Sequence, residues 1–293
     1  NAESADGSLH LNGSYLPGKD YKTRLTGAVK IKTEGSASPS LLLKAEGNAK
    51  QFLLDLEGAM PDPLRLRWQL QTQNNKPFWL FTGSTERFEP RYLGLLDNHA
   101  YRMQLAASGD SANAQLVGEV SRDGETVVIE PSRFALDSDR IRIEMLAAAY
   151  RGARVTASGS VRSGEALSSD GLDLTVQNFT LPNAGTEGAV PVTLDATAHW
   201  SGRVEQWQLK AQGALTRGDI NARFTLQGNG TASEVLFPVV KLGNNSGGLD
   251  GQVSARWSPS PALAFKGALQ RFDPSFIAAD FPGSISADMK LEF

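Results

Sequence analysis

"VGEVSRDGETVVIE", residues 117 to 130, places a turn signal between two apolar-rich arms. Asp123-Gly124 sits at its centre, a pair suited to a two-residue hairpin turn in which both residues take positive φ. Pairing outward from that turn sets Val120 opposite Val127 and Gly118 opposite Ile129. The apolar residues of both arms then reach the same face, which is the pattern of two antiparallel strands with one wet side.

The same period of two recurs along the chain. In "TRLTGAVKIKTEG", residues 23 to 35, Leu25, Gly27, Val29 and Ile31 alternate with Thr26, Ala28, Lys30 and Lys32. Leu9 and Leu11 alternate likewise, as do Leu64, Leu66, Trp68 and Leu70, then Leu172, Leu174 and Val176. Leu249, Gly251, Val253, Ala255 and Trp257 form a late example. Leu105 and Leu116 extend the apolar set in the first half, and Leu194, Trp207, Leu209, Phe224, Leu226 and Phe265 extend it in the second. Helical spacing is nearly absent. The stretches after Pro90 and Pro274 are expected short helices, because proline suits a first helical turn. "RIRIEMLAAAYRG", residues 140 to 152, fits a helix by composition and a strand by the alternation of Ile141 and Ile143. Further turns are expected at Asp6-Gly7, Asp170-Gly171 and Asn229-Gly230, whereas Asp250-Gly251 lies inside an alternating run.

Many strands joined by short turns give an antiparallel meander, as a barrel, a sandwich or one long bent sheet. Glycine recurs at inward positions, among them Gly27, Gly47, Gly58, Gly109, Gly118, Gly159, Gly213, Gly228 and Gly267, and glycine within a strand marks a bend or a close approach. A sheet bent round its apolar side without closing would be a trough. An alternating apolar face is by default a sandwich core, and the five tryptophans are by default packing anchors.

Composition narrows the function. The 29 basic and 32 acidic residues nearly balance, so steering toward nucleic acid or an acidic membrane surface is not favoured. The absence of cysteine excludes disulfides, iron-sulfur clusters and thiolate zinc sites. No run of apolar residues is long enough for a transmembrane helix. Because the chain opens on Asn1, a processed or excised piece is expected. His10, His99 and His199 sit in no metal-ligand spacing, Asp137 and Asp139 look like turn residues, and nucleophile-elbow and phosphate-loop motifs are missing. No catalytic residue, metal or cofactor is therefore expected.

One phrase is written twice. Gly83, Arg87, Phe88, Glu89, Pro90, Tyr92 and Leu93 match Gly267, Arg271, Phe272, Asp273, Pro274, Phe276 and Ile277 with every spacing kept. Such repeats mark supersecondary units that stack on their neighbours. Arg87 and Arg271 read as local ion-pair partners of the nearby acids.

"RFDPSFIAADFPGSISADMKLEF", residues 271 to 293, and "KLGNNSGGLDGQVSARW", residues 241 to 257, resemble the repeat of the TamB proteins of the AsmA-like superfamily. The first copy departs from that pattern, with "LGLLDNHAYRM", residues 93 to 103, in place of the Phe-Pro-Gly segment. The resemblance implies an all-β fold: an elongated, curved antiparallel sheet, a β-taco or open half-pipe, with an apolar inner groove and a few short helices. It implies one continuous repetitive domain over residues 1 to 293, part of a longer periplasmic protein anchored in the inner membrane. It further implies a non-catalytic bridge that carries phospholipid acyl chains between inner and outer membrane, with an outer-membrane Omp85-type partner resembling TamA. The groove would then be lined by Leu25, Val29, Ile31, Leu64, Leu66, Trp68, Leu70, Leu105, Leu116, Val120, Val127 and Ile129, and by Leu172, Leu174, Val176, Leu194, Trp207, Leu209, Phe224, Leu226, Val253, Trp257 and Phe265. Two alternatives stay open: a scaffold that assists outer-membrane protein assembly, and a fragment of an outer-membrane β-barrel. Against the barrel stand the 8% aromatic content and the proline-bearing repeats.

Overall fold

The computed structural model describes residues 2–4, 7–16, 21–31, 40–48, 50–60, 62–73, 76–89, 99–162, 168–181, 190–203, 205–244, 246–258, 260–273 and 283–292. The chain divides into two compact units, Asn1–Leu136 and Asp137–Phe293. The first holds β1 (Ala2–Ser4), β2 (Gly7–Leu16), β3 (Lys22–Ile31), β4 (Ser40–Gly47), β5 (Gln51–Met60), β6 (Asp62–Gln73), β7 (Lys76–Phe88), β8 (Tyr101–Gly109), β9 (Asn113–Arg122) and β10 (Glu125–Leu136). The second holds β11 (Arg140–Tyr150), β12 (Ala153–Arg162), β13 (Ser168–Thr180), β14 (Thr193–Arg203), β15 (Gln206–Arg217), β16 (Ile220–Gly230), β17 (Glu234–Gly243), β18 (Gly248–Arg256), β19 (Ala262–Phe272) and β20 (Ile285–Glu292).

The described residues are all-β, with no helix among them. The helices expected after Pro90 and Pro274 lie outside the described residues. Within each unit every strand pairs antiparallel with its neighbour in sequence, from β1–β2 to β9–β10 and from β11–β12 to β19–β20. Neither meander closes into a barrel: among the described residues β1 pairs with β2 and β20 with β19, and no register joins β1 to β10 or β11 to β20.

The hairpin that decided the fold has the expected register. Val127 pairs with Val120 and Ile129 with Gly118, and Asp123 and Gly124 take φ of 52° and 83°. Arg151 and Gly152 repeat that geometry between β11 and β12, with φ of 48° and 82°. The ambiguous stretch from Arg140 is therefore a strand, β11, ending in a turn. Two expected turns are corrected. Asp170-Gly171 and Asn229-Gly230 both lie within strands, β13 and β16, while Asp6 lies outside the described residues. Both glycines make room for a ring on the neighbouring strand. A Cβ at Gly171 would sit 2.9 Å from His199 Cε1, and one at Gly230 would sit 2.7 Å from Trp207 Cε2.

Four hairpins use another turn. Gly47, Gly109, Gly230 and Gly243 each end a strand, and the next side chain accepts from amides just ahead of it. Asn48 Oδ1 accepts from Lys50 and Gln51, Asp110 Oδ1 from Ala112 and Asn113, Thr231 Oγ1 from Ser233, and Asn244 Oδ1 from Ser246 and Gly247. These are Asx- and ST-turns, in which a side-chain oxygen stands in for a backbone carbonyl. Asp137 is a turn residue too, accepting from the Ser138 amide.

The written repeat is also a structural repeat. In both copies the ladder slips just before the Arg-Phe pair, between Thr85 and Phe88 in β7 and between Leu269 and Phe272 in β19. Gly83 faces Leu105 and Phe88 faces Tyr101; Gly267 faces Met289 and Phe272 faces Ile285. All of these residues keep the offset that separates Gly83 from Gly267, so the returning strand belongs to the repeat. Arg87 pairs with the buried Glu89 at 3.2 Å, the local ion pair expected there. In the second copy Asp273 Oδ1 accepts from the Gly283 amide at 3.3 Å.

Candidate functional site

Because side chains alternate across a strand, the register decides which residues of neighbouring strands share a face. In the first unit Gly27, Leu43, Leu56, Leu66, Gly83, Leu105, Gly118 and Ile129 succeed one another as direct partners from β3 to β10. Beside them run Leu25, Ala45, Leu54, Trp68, Phe81, Ala107 and Leu116. On the other flank run Val29, Leu41, Gly58, Leu64, Thr85, Met103, Val120 and Val127. Leu70 partners Phe52 and Trp79, and Ile31 partners Gly7. Every candidate residue of this unit thus falls on one parity, and the parity is apolar across the unit.

The second unit repeats the arrangement. Gly159, Leu172, Trp200, Leu209 and Gly228 form one row from β12 to β16. Ala157, Leu174, Ala198, Ala211, Leu226, Val240, Gly251, Gly267 and Met289 form the next, reaching β20. Val155, Val176, Ala196, Gly213, Phe224, Leu242, Leu249 and Leu269 form a third. Leu194 pairs with Phe179 and Leu215, Trp207 with Gly202 and Gly230, and Val253 with Phe237 and Phe265. Trp257 falls beyond the end of β18. It is 52% exposed, and its indole N–H donates to Ala232 O at 2.9 Å, a clasp on the β16–β17 turn.

Large side chains in these rows lie over the glycines of the adjoining strand. A methyl group on Gly118 would be 2.7 Å from Leu105 Cδ2, and one on Gly213 would be 2.7 Å from Phe224 Cε1. Glycine here removes a steric obstacle, so neighbouring apolar side chains fold down onto the sheet. Among the described residues they do not acquire a second layer. Trp68 is 46% exposed, Leu70 39% and Val127 37%, whereas a sandwich core would bury such residues almost completely. The buried apolar residues among those described are mostly alanines, with Leu41 and Leu269.

The opposite parity is mixed: it carries the charged side chains together with Leu42, Leu80, Val117 and Val128, which are 37–58% exposed, and three hollows lie on that side. In the first unit a cavity of 620 Å³ runs over β5 to β9, with Asp55, Glu57, Arg65, Arg67, Gln104 and Glu119 around it. Arg67 Nε is 2.7 Å from Asp55 Oδ1, and the hydrogen bond and negative charge of Asp55 raise the arginine pKa. A neighbouring hollow of 300 Å³ is more apolar, with Leu80, Ala106 and Val117 in its wall. In the second unit His199 Nδ1 lies 2.7 Å from Asp173 Oδ1, beside a cavity of 460 Å³. The sequence reading picks out none of these three hollows; for the first, the alternating charges at Asp55, Glu57, Arg65 and Arg67 are the available signal.

Among the described residues no three or more His, Asp or Glu side chains gather as a metal site, and no helix is long and apolar enough to cross a membrane. Comparison of the chain with protein-family models, curated proteins and solved structures finds no match.

Proposed function

We propose that this chain is part of a TamB-like periplasmic bridge, whose apolar face carries phospholipid acyl chains between the inner and outer membranes without catalysis. The observation that carries this reading is the partial exposure of the apolar rows, greatest at Trp68, which is 46% exposed. Surface of that kind, continuous across many strands, is where a hydrocarbon guest lowers the free energy of both partners. The likeness of residues 241 to 257 and 271 to 293 to the TamB repeat points to the same cargo.

Exposing a methylene to water costs about 0.8 kcal/mol, so a sixteen-carbon tail moving through water bare faces a barrier of roughly 12 kcal/mol. Rows that are apolar except for the buried Thr85 keep most of that barrier away while the head group stays in solvent. Directionality and an Omp85-type partner at the outer membrane would belong to the full-length protein, attached to the inner membrane through its own anchor.

The test is lipid retention. The chain is purified without detergent from cells, and retained lipids are identified by mass spectrometry. Leu66→Arg and Leu174→Arg are expected to strip phospholipid from the protein with the β circular dichroism unchanged. Photo-crosslinkers at Leu66 should capture lipid while those at Arg65, one residue along the strand, should not. Equal lipid capture from both faces, or undiminished retention by the arginine variants, would refute the proposal. Insolubility without detergent would favour the barrel alternative.

A further inference from the structure

The polar face of the second unit carries a group of side chains that the lipid reading does not use. Asp173, His199, Lys210 and Gln227 are successive partners across β13, β14, β15 and β16. Their parity is opposite to that of Leu174, Ala198, Ala211 and Leu226, so they project from the other side of the sheet. Thr175, Thr197, Gln212 and Thr225 complete the wall of the 460 Å³ cavity there.

His199 is fixed in this cavity by two features. Its Nδ1 is 2.7 Å from Asp173 Oδ1, which makes Nδ1 the protonated nitrogen and leaves Nε2 free to face the open side. Its ring lies over Gly171, where a Cβ would come within 2.9 Å of Cε1; only glycine leaves the ring this seat. Lys210, next in the row, makes no ion pair among the described residues, whereas Lys241, two strands further on, is tied to Asp250 at 3.1 Å.

We infer that this cavity is an oxyanion site for a phosphate group, with His199 Nε2–H and Lys210 Nζ as its charged donors. Cross-strand neighbours lie about 5 Å apart at their Cβ atoms, so one tetrahedral anion reaches both. The Gln212 and Gln227 amides and the Thr197 hydroxyl supply neutral donors around it. The charged groups facing His199 are Asp173 on β13 and Lys210 on β15, while Asp195 on its own strand accepts from the Asn178 amide at 2.8 Å. With the imidazole protonated, Asp173, His199 and Lys210 sum to one positive charge; with it neutral they sum to zero. Protonating the imidazole therefore strengthens the binding of an anion.

The test follows the His199 Cε1–H resonance, assigned with His199→Gln, while the whole chain is titrated with dimethyl phosphate and with inorganic phosphate. Dimethyl phosphate keeps a single charge throughout, so its pH dependence reports the protein alone. We expect saturable shifts at about pH 5 and roughly four- to tenfold weaker binding of the diester at about pH 8. Lys210→Met should weaken binding by a similar factor at the acid end, and Lys241→Met should leave it unchanged. Preference for the diester would mark a lipid headgroup as the source, and preference for inorganic phosphate would mark the free ion. No saturable shift, or binding indifferent to both pH and Lys210, would overturn the assignment. Because this face is opposite to Leu174, the outcome is independent of lipid retention on the apolar rows.

Discussion

Alanine at the two glycines of the repeat should have unequal effects, although the sequence writes them as equivalents. A Cβ on Gly267 would meet backbone, lying 2.6 Å from Asp250 O and 2.8 Å from Gly251 Cα, as well as the Phe265 ring at 2.8 Å. A Cβ on Gly83 would meet only side-chain atoms, Leu66 Cδ2 at 3.1 Å and the Phe81 ring at 3.2 Å. Neither glycine has positive φ, so alanine carries no backbone strain and gains about 0.4–1 kcal/mol through the unfolded chain. Overpacking against atoms that cannot move costs about 1–3 kcal/mol. Gly267→Ala is therefore destabilising by about 1–2 kcal/mol net, and Gly83→Ala is neutral or slightly stabilising. In a unit of this size that corresponds to a melting point lower by about 2–6 °C for Gly267→Ala. Hydrogen exchange resolved by peptide separates the units, with β6–β8 reporting Gly83 and β18–β20 reporting Gly267. Equal loss of protection in both variants, or none at Gly267, would refute the steric argument.

Two further outcomes concern the turns. Asp110 is held below the usual carboxylate pKa by hydrogen bonds from the Ala112 and Asn113 amides, so its stabilising contribution is present above the unfolded-state pKa and lost as pH falls through the lower folded value. Asp110→Asn should keep the turn and flatten the acid limb of a stability–pH curve, whereas Asp110→Ala should lose stability at neutral pH as well. Trp79 donates its indole N–H to Asp110 O at 3.0 Å, and Trp79→Phe should lower stability by about 0.5–1.5 kcal/mol in urea unfolding. Trp257→Phe breaks the matching bond to Ala232 O at a half-exposed site and should cost less.

How much of this was legible in the sequence depended on where the period of two was interrupted. β9 and β10 could be paired from Asp123-Gly124 alone, because a two-residue turn fixes the register. β11 was ambiguous for a physical reason. Its ladder slips between Ile143 and Leu146, so apolar residues fall at Ile141 and Ile143, then at Leu146 and Ala148. One bulge converts an alternation into a spacing of three and imitates a helix. In β4 and β5 the runs "LLL" and "FLL" hid Leu41, Leu43, Leu54 and Leu56 among neighbours of the other parity, Leu42 and Leu53. Lys44, Glu46, Asp55 and Glu57 would have given that parity away. Turns were sought at Asp-Gly and Asn-Gly, yet Gly171 and Gly230 serve rings, and the hairpins of β4, β8, β16 and β17 use glycine before the polar residue. Pattern assigns a side chain to a face. Whether anything covers that face depends on partners remote in sequence, so the exposure of Trp68 could only come from coordinates.

The duplicated bulge, with its intervening residues and returning strand, has a consequence for how such a chain changes length over generations. The two cassettes, Gly83 to Leu105 and Gly267 to Met289, contain equal residue counts and identical cross-strand bookkeeping. The register of the described partners is therefore the same in both. Hairpins added or deleted between the cassettes would likewise leave both untouched, giving a scaffold whose reach can drift while its joints stay standardised.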